Sequence, residues 1–512
     1  MLEKILSTPG FFYCRTFDLT RSFQAQSKDS TSGSLFKKCN KEHAWNGFLL
    51  QQLLKAYPSD SITVEDFCCP IIHGFVEIIP NLTVAGKSDS SYALISRRSV
   101  HRPGTRFFSR GLDSSANASN FVETEQILLT SGNTFSFLQL RGSIPLMWTQ
   151  NPTLKYTPVI HVPGVVRTSD QSDPRPEFTV DASQKSICER HFKEAFESRG
   201  YGKNICINLI NQTGRERILE RSFAQAVQPI ASTMVKYESF DFHRECGLNK
   251  WHRLKTLMDR LEPEMTQMQY FHLLVPSNGT FSEALSLSNK SVRKNQQGIF
   301  RTNCVDCLDR TNVVQSMLGK LALHSWLSEV GILAEATMDH NGNISLDKIW
   351  PSFEFKFRNL WADHADMISI QYSGTPALKT DFTRLGKRTL MGKLNDGWHS
   401  LQRYYLNNFC DGMRQDSMNL LLGHHSPCNL DGSYRPIPAA ASLSLWKKLL
   451  PPVFLVTFSL LVFTVMFSND PMTQKMNRIM AYGTGSALTL FTIFTFGEEY
   501  VLKPRLHSFR GY

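Results

Sequence analysis

Apolar and polar positions follow two periods along most of this chain, and near the C-terminus the alternation gives way to unbroken apolar runs. From Pro70 to Leu146, short runs such as Ile71-Ile72, Tyr92-Ala-Leu-Ile95 and Phe135-Ser-Phe-Leu-Gln-Leu140 predict β-strands. Lys203–Asn211 predicts a buried strand, and helical spacing is expected over Trp45–Leu54, Trp251–Leu261 and Met265–Leu274. The two periods meet near residue 300. Gly298-Ile-Phe-Arg301 predicts a strand, and Val313, Val314, Met317, Leu318 and Leu321 predict one face of a helix.

Two stretches without a charge follow, Leu449–Phe467 and Ile479–Phe496. At about 1.5 Å per helical residue, each nearly crosses a hydrocarbon layer of about 30 Å. Pro451 and Pro452 fall in a first turn, where proline is tolerated. Lys447 and Lys448 precede the first run, and Lys503, Arg505 and Arg510 follow the second; Lys475 and Arg478 alone carry positive charge between them. This bias predicts a transmembrane helical hairpin with both ends in the cytosol.

Between the strand and the helix near residue 300 lies Arg301-Thr-Asn-Cys-Val-Asp-Cys-Leu-Asp-Arg-Thr-Asn312. A tight polar loop opening onto a helix N-terminus makes an anion site from backbone N–H groups. The same field and a neighbouring guanidinium lower a thiol's pKa, so Cys304 reads as a thiolate nucleophile and Arg310 as a clamp on phosphoryl oxygens. A leaving alkoxide needs a proton, for which Asp306 is the first candidate and Asp309, beside Arg310, the second. This chemistry calls for no metal or cofactor. Cys304 and Cys307 alternatively form a redox pair or half a zinc site, but no second closely spaced Cys/His pair completes such a site.

Composition narrows the partners. The net charge of +11 suits an anionic one; no nucleic-acid module is visible, whereas the apolar runs point to a membrane. Eleven scattered cysteines do not make a secreted disulfide framework, and a thiolate enzyme requires a reducing compartment.

The string from Arg301 to Asn312 resembles the signature of the Sac phosphoinositide phosphatase family at every fixed position. Ser96–Gly111, Asn120–Gln126, Gln139–Trp148, Tyr237–Cys246, Trp361–Asp366, Ser369–Thr389 and Arg403–Ser417 also resemble it, so the similarity runs over about 40–423 and weakens outside. The resemblance implies an α/β cysteine-phosphatase-like catalytic domain, a partial β-rich N-terminal domain, and magnesium-independent removal of phosphate from phosphatidylinositol monophosphates, chiefly the 4-phosphate. It also implies residence in the endoplasmic reticulum or Golgi. The expected divisions are a remnant N-terminal segment at 1–60, a catalytic domain at 61–423, a linker at 424–448, spans at 449–467 and 479–496, and a cytosolic tail at 497–512.

Around the reacting centre, Asn303, Val305, Cys307, Leu308 and Thr311 are expected to shape the substrate loop, with Thr311 aiding release of phosphate from the cysteine. Lys379, Arg384 and Lys387, in a dense cationic segment, are expected to meet a second phosphate or the diester. Arg97, Arg98, Arg102, Arg106 and Arg110 read either as a solvated strand face or as a basic surface that meets anionic lipid or its head group. Two other classes compete: a non-catalytic lipid-binding tether, and a protein phosphatase using the same loop.

Overall fold

The computed structural model describes residues 1–29, 33–56, 67–84, 87–130, 132–168, 177–231, 234–247, 250–274, 291–332, 353–425 and 442–506. Its centre is a ten-stranded sheet. In chain order the strands are β1 (Phe11–Phe12), β2 (Ile72–Val84), β3 (Lys87–Arg98), β4 (Val122–Thr130), β5 (Asn133–Arg141), β6 (Lys203–Asn208), β7 (Val235–Ser239), β8 (Phe271–Leu274), β9 (Ser291–Lys294) and β10 (Gly298–Asn303).

The sheet changes character at β5. β1 to β5 form an antiparallel meander, whereas β10, β6 and β7 continue it in parallel. The far edge of β5 is shared: Asn133–Ser136 pair with β8, and Gln139–Arg141 pair with β10. β10 therefore lies between β5 and β6, and all six of its residues are buried. A segment beginning at the C-terminal end of such a strand opens where parallel sheets bind their ligands.

The helix following β10, α1 (Asp309–Glu329), buries Val313, Val314 and Leu318 of the expected face, holds Met317 and Leu321 half-buried against the core, and adds Leu323 and Trp326. It packs on α2 (Phe353–Ser373), whose Phe357 and Trp361 join the same core. Each such side chain contributes about 1.5–3 kcal/mol by leaving water.

The expected helix over Met265–Leu274 is only half present. The helix from Leu254 carries Pro263 and runs to Met268; Gln269 then turns into left-handed backbone at φ 57°, and Phe271–Leu274 become β8. Pairing with β5 and β9 outweighs the local helical spacing. The first sixty residues contribute to the same sheet through β1, and the backbone N–H of Phe23 donates to Glu125 on β4 at 2.8 Å.

After α3 (Leu390–Phe409) and α4 (Asp411–Leu421), two helices pack antiparallel, α5 (Leu445–Phe467) and α6 (Met472–Thr495). Ser486 meets Thr457 at 3.0 Å midway along them, and Lys447 pairs with Glu499 at their open end. Among the described residues only α5 is long and apolar enough to cross a membrane, with a mean hydropathy of 2.3. The expected pair of spans is thus reduced to one by this criterion. The apolar run from Ile479 is the continuation of a helix whose first turns carry Gln474, Lys475, Asn477 and Arg478. Most of the expected linker lies outside the described residues, as does the chain end beyond Leu506.

Candidate active site

The loop from Cys304 to Leu308 leaves the end of β10 and enters α1 at Asp309. Its five carbonyls are all occupied. Cys304 O accepts from the Cys307 thiol at 3.2 Å, Val305 O from Arg110 at 2.9 Å, and Asp306 O from Asn120 at 3.2 Å. Cys307 O meets Arg141 at 3.4 Å, and Leu308 O accepts from the N–H of Asn312 at 2.8 Å. Oxygens so engaged do not oppose an entering anion, and the loop N–H groups and the α1 N-terminus attract one. The turn requires left-handed backbone at Cys307, φ 53°, and its one thiol hydrogen is shared between Cys304 O and Gly142 O, the latter at 2.8 Å.

Cys304 is buried, 3% exposed. Burial alone would raise its pKa, but the Cys307 thiol, the Arg310 charge and Thr311 hold it down at about 6, against the repulsion of Asp306. Cys307 moves the other way, pushed up by burial and by the neighbouring thiolate. The pair therefore divides into one charged and one neutral sulfur. Arg310 is aimed by a carboxylate far away in sequence: Glu216 takes two guanidinium bonds at 3.1 Å, and Leu209 O takes another at 3.0 Å.

The two aspartates differ in their surroundings. Asp306 accepts from Arg106 at 2.7 Å and Arg110 at 2.6 Å. Burial opposes its charge, but these two guanidiniums hold the carboxyl well below the usual carboxylate range. A carboxylate so clamped has no proton to give at neutral pH, so Asp306 does not fit its expected place as first choice of acid. Asp309 accepts the N–H of Leu378 at 2.6 Å and meets Arg403 only at 3.4 Å. Both line a cavity of about 90 Å³ with Arg106, Arg403, Tyr404 and Asn407. A larger cavity of about 690 Å³ lies near Arg21 and Arg199 and contains no residue of the loop, so the chemistry does not belong there.

Other expected site residues are distributed unevenly. Val305 and Thr311 lie against the nucleophile, whereas the Asn303 side chain bonds Arg301 within the sheet. Leu308 packs with Val122, Ile368 and Tyr372 and serves the core. Arg384 is held by Asp363 at 2.8 Å and Asp366 at 3.1 Å. Lys379 is half-buried with its N–H on Asp396, and Lys387 is exposed.

The arginine-rich segment is mostly turned inward rather than solvated. Arg97 is buried between Glu123 and Glu125, Arg98 is buried on Gly104 O and Gln371 O, and Arg102 donates to Arg110 O. Arg106 and Arg110 belong to the site, a role that the Ser96–Gly111 string did not disclose. Glu216 and Arg403 were also missed, and no local pattern marks either.

Known proteins resemble this chain over nearly its whole length. A family profile described as "SacI homology domain" matches residues 1–247. The zebrafish (Danio rerio) protein "Phosphatidylinositol-3-phosphatase SAC1-A" is 39% identical over 510 residues, which cover 99% of this chain and 78% of that protein. The Saccharomyces cerevisiae "Phosphatidylinositol-3-phosphatase SAC1" is 36% identical, covering 99% and 76%, and Arabidopsis thaliana "Phosphoinositide phosphatase SAC7" is 34% identical, covering 99% and 79%. These alignments extend well beyond the 40–423 stretch in which the sequence motifs are concentrated. With its signature loop on a strand–helix junction and relatives matched over nearly its whole length, the chain belongs to the Sac phosphoinositide phosphatase family.

Proposed function

We propose that this chain removes phosphate from phosphatidylinositol monophosphates through a phospho-cysteine intermediate. One observation carries the reading: a buried thiol held near pKa 6 at the head of a loop whose carbonyls are all engaged. At neutral pH Cys304 is mostly thiolate. Its sulfur attacks phosphorus in line and forms the S–P bond as the P–O bond to the inositol breaks. Arg310, aimed by Glu216, takes the charge on the equatorial oxygens, and Asp309 gives the leaving alkoxide its proton. Asp309, now a carboxylate, then takes a proton from a water that attacks phosphorus. Inorganic phosphate leaves and the thiolate returns, with Thr311 donating to the sulfur. Asp306 has the separate task of holding Arg106 and Arg110 at the mouth of the site.

The 4-phosphate is the proposed main substrate, although the names of the zebrafish and yeast relatives specify the 3-phosphate. We propose that α5 and α6 together anchor the chain as a hairpin in the endoplasmic reticulum or Golgi membrane, with the catalytic domain cytosolic. The test is phosphate release from each of the monophosphates in vesicles, by the full chain and by Cys304→Ser. Release confined to the unsubstituted chain supports the reading and ranks the substrates. No release from a folded chain overturns it in favour of a lipid-binding tether.

A further inference from the structure

The helix α3 is inside out for a soluble protein. Leu390, Met391, Leu394, Trp398, Leu401 and Tyr405 are all exposed, Leu390 by 76% and Trp398 by 59%. At 100° per residue these positions fall on one stripe about 100° wide. The opposite face is polar and turned inward. Arg403 and Asn407 are buried, and Asp396 accepts from Arg388 at 2.5 Å and from the N–H of Lys379 at 3.0 Å. A surface helix normally buries its apolar stripe and shows its polar one. Here the inward side is required by the site, since Arg403 reaches Asp309, and the apolar side is left without a cover among the described residues.

We propose that α3 is an interfacial helix that seats the cavity beside Asp306 and Asp309 on a lipid bilayer, in the same membrane that holds α5. Three observations select a bilayer as the occupant. The first is continuity with the anchor. Leaving α6, the chain passes through Tyr500, which donates to Lys447 O at the start of α5 at 2.6 Å. The N–H of Leu502 then donates to Asn408 O on α3 at 2.8 Å, and those of Arg505 and Leu506 donate to Asp416 on α4 at 2.9 Å. The candidate membrane helix and the apolar stripe are thus joined by a short hydrogen-bonded segment. The second observation is charge: no ionised side chain interrupts the stripe, and exposed Lys387 and Lys393 flank its N-terminal end, as lipid phosphates favour. The third is the position of the cavity, which Ser400, Arg403 and Asn407 line from the other side of the same helix. Only the thickness of one helix, about 10 Å with its side chains, separates the stripe from that lining. A headgroup in the layer that α3 enters therefore stands close to the cavity mouth.

The inference uses the phosphatase reading only for its activity readout, and a second readout is independent of it. The full chain is reconstituted in phosphatidylcholine vesicles doped with phosphatidylserine and phosphatidylinositol 4-phosphate. Brominated phosphatidylcholine is the quencher, and the difference in fluorescence between the unsubstituted chain and Trp398→Phe isolates Trp398. Quenching of that difference signal is expected. An unquenched Trp398 overturns the proposal, as does a cross-link joining α3 of two copies, which would make the stripe a dimer face. In the second readout, Leu394→Ser combined with Leu401→Ser should lower turnover of vesicle-borne lipid by about tenfold or more. Turnover of monomeric dihexanoyl substrate should stay within about twofold, because neither leucine touches the cavity. Equal losses on the two substrates, or no loss on either, overturn the proposal. If the unsubstituted chain hydrolyses nothing, the phosphatase reading fails and the quenching alone decides whether α3 is seated in lipid.

Discussion

Asparagine substitution at each of the two aspartates separates the proton donor from the arginine clamp. An isolated aspartic acid with its ordinary pKa of 3.8 is protonated in roughly one molecule in 10³ at pH 7. Contacts of 2.7 and 2.6 Å to Arg106 and Arg110 reduce the fraction of protonated Asp306 further, by tenfold for each unit the pKa falls. General acid catalysis is worth about 10²–10⁴ in rate, and the paired guanidiniums work against it at Asp306, whereas Asp309 meets a single guanidinium at 3.4 Å. Asp309→Asn keeps an oxygen for the N–H of Leu378 and removes the proton. It should lower kcat on phosphoinositide by about 10²–10⁴, yet cost less than about tenfold on an aryl phosphate whose phenolate leaves unaided. Asp306→Asn should cost both substrates alike. It should also destabilise the fold by about 3 kcal/mol, the lower end for breaking a buried pair, because Asp306 keeps 19% side-chain exposure. Steady-state kinetics on the two substrates, with thermal melting of each variant, make the comparison. A loss that depends on the leaving group in Asp306→Asn but not in Asp309→Asn would refute the assignment.

Other expectations follow from the same geometry. Since the Cys304 thiol lies near 6, kcat/KM should fall on the acid side of a limb at about pH 6, and Asp306→Asn should move that limb lower by removing a repelling charge. The folded-state pKa of Cys304 is depressed from 9.0, so its ionisation contributes stability that is fully present above pH 9 and is lost as pH falls to about 6. The slope there is about 1.4 kcal/mol per pH unit, and denaturant titrations of Cys304→Ser should lack it. Glu216→Ala should reduce kcat/KM by about tenfold to a hundredfold by releasing the Arg310 fork, while circular dichroism remains native. A folded Glu216→Ala variant with unchanged kinetics would argue against that positioning role. Mild peroxide should join Cys304 to Cys307 with loss of two hydrogens, an intact-mass change that Cys307→Ser abolishes.

Near the nucleophile the sequence was informative because the chemistry is local. Cys304 and Arg310 lie six residues apart across one strand–loop–helix junction, and the strand and helix declare themselves by periods of two and 3.6. β10 and α1 were therefore legible, and so was the loop that joins them. Met265–Leu274 was not, because its last four residues take their structure from β5 and β9 rather than from their own spacing.

The groups that assign work within the site come from distant segments. Arg106 and Arg110 are 200 and 196 residues from Asp306, and Glu216 and Arg403 are each 94 residues from the loop residues they hold. Nothing in an arginine-rich string tells whether its charges meet water, lipid or a buried carboxylate; burial decides, and burial is a property of the packed chain. The apolar stripe of α3 was hidden for the same reason. Its spacing marks an amphipathic helix, but which face turns inward is decided by the site that Arg403 and Asn407 complete. The sequence by itself determined the reactive groups and the elements that carry them. Tertiary structure decided which carboxylate the two arginines clamp and which helix face is left exposed, because partners so far apart in sequence meet only when the sheet and its helices close together.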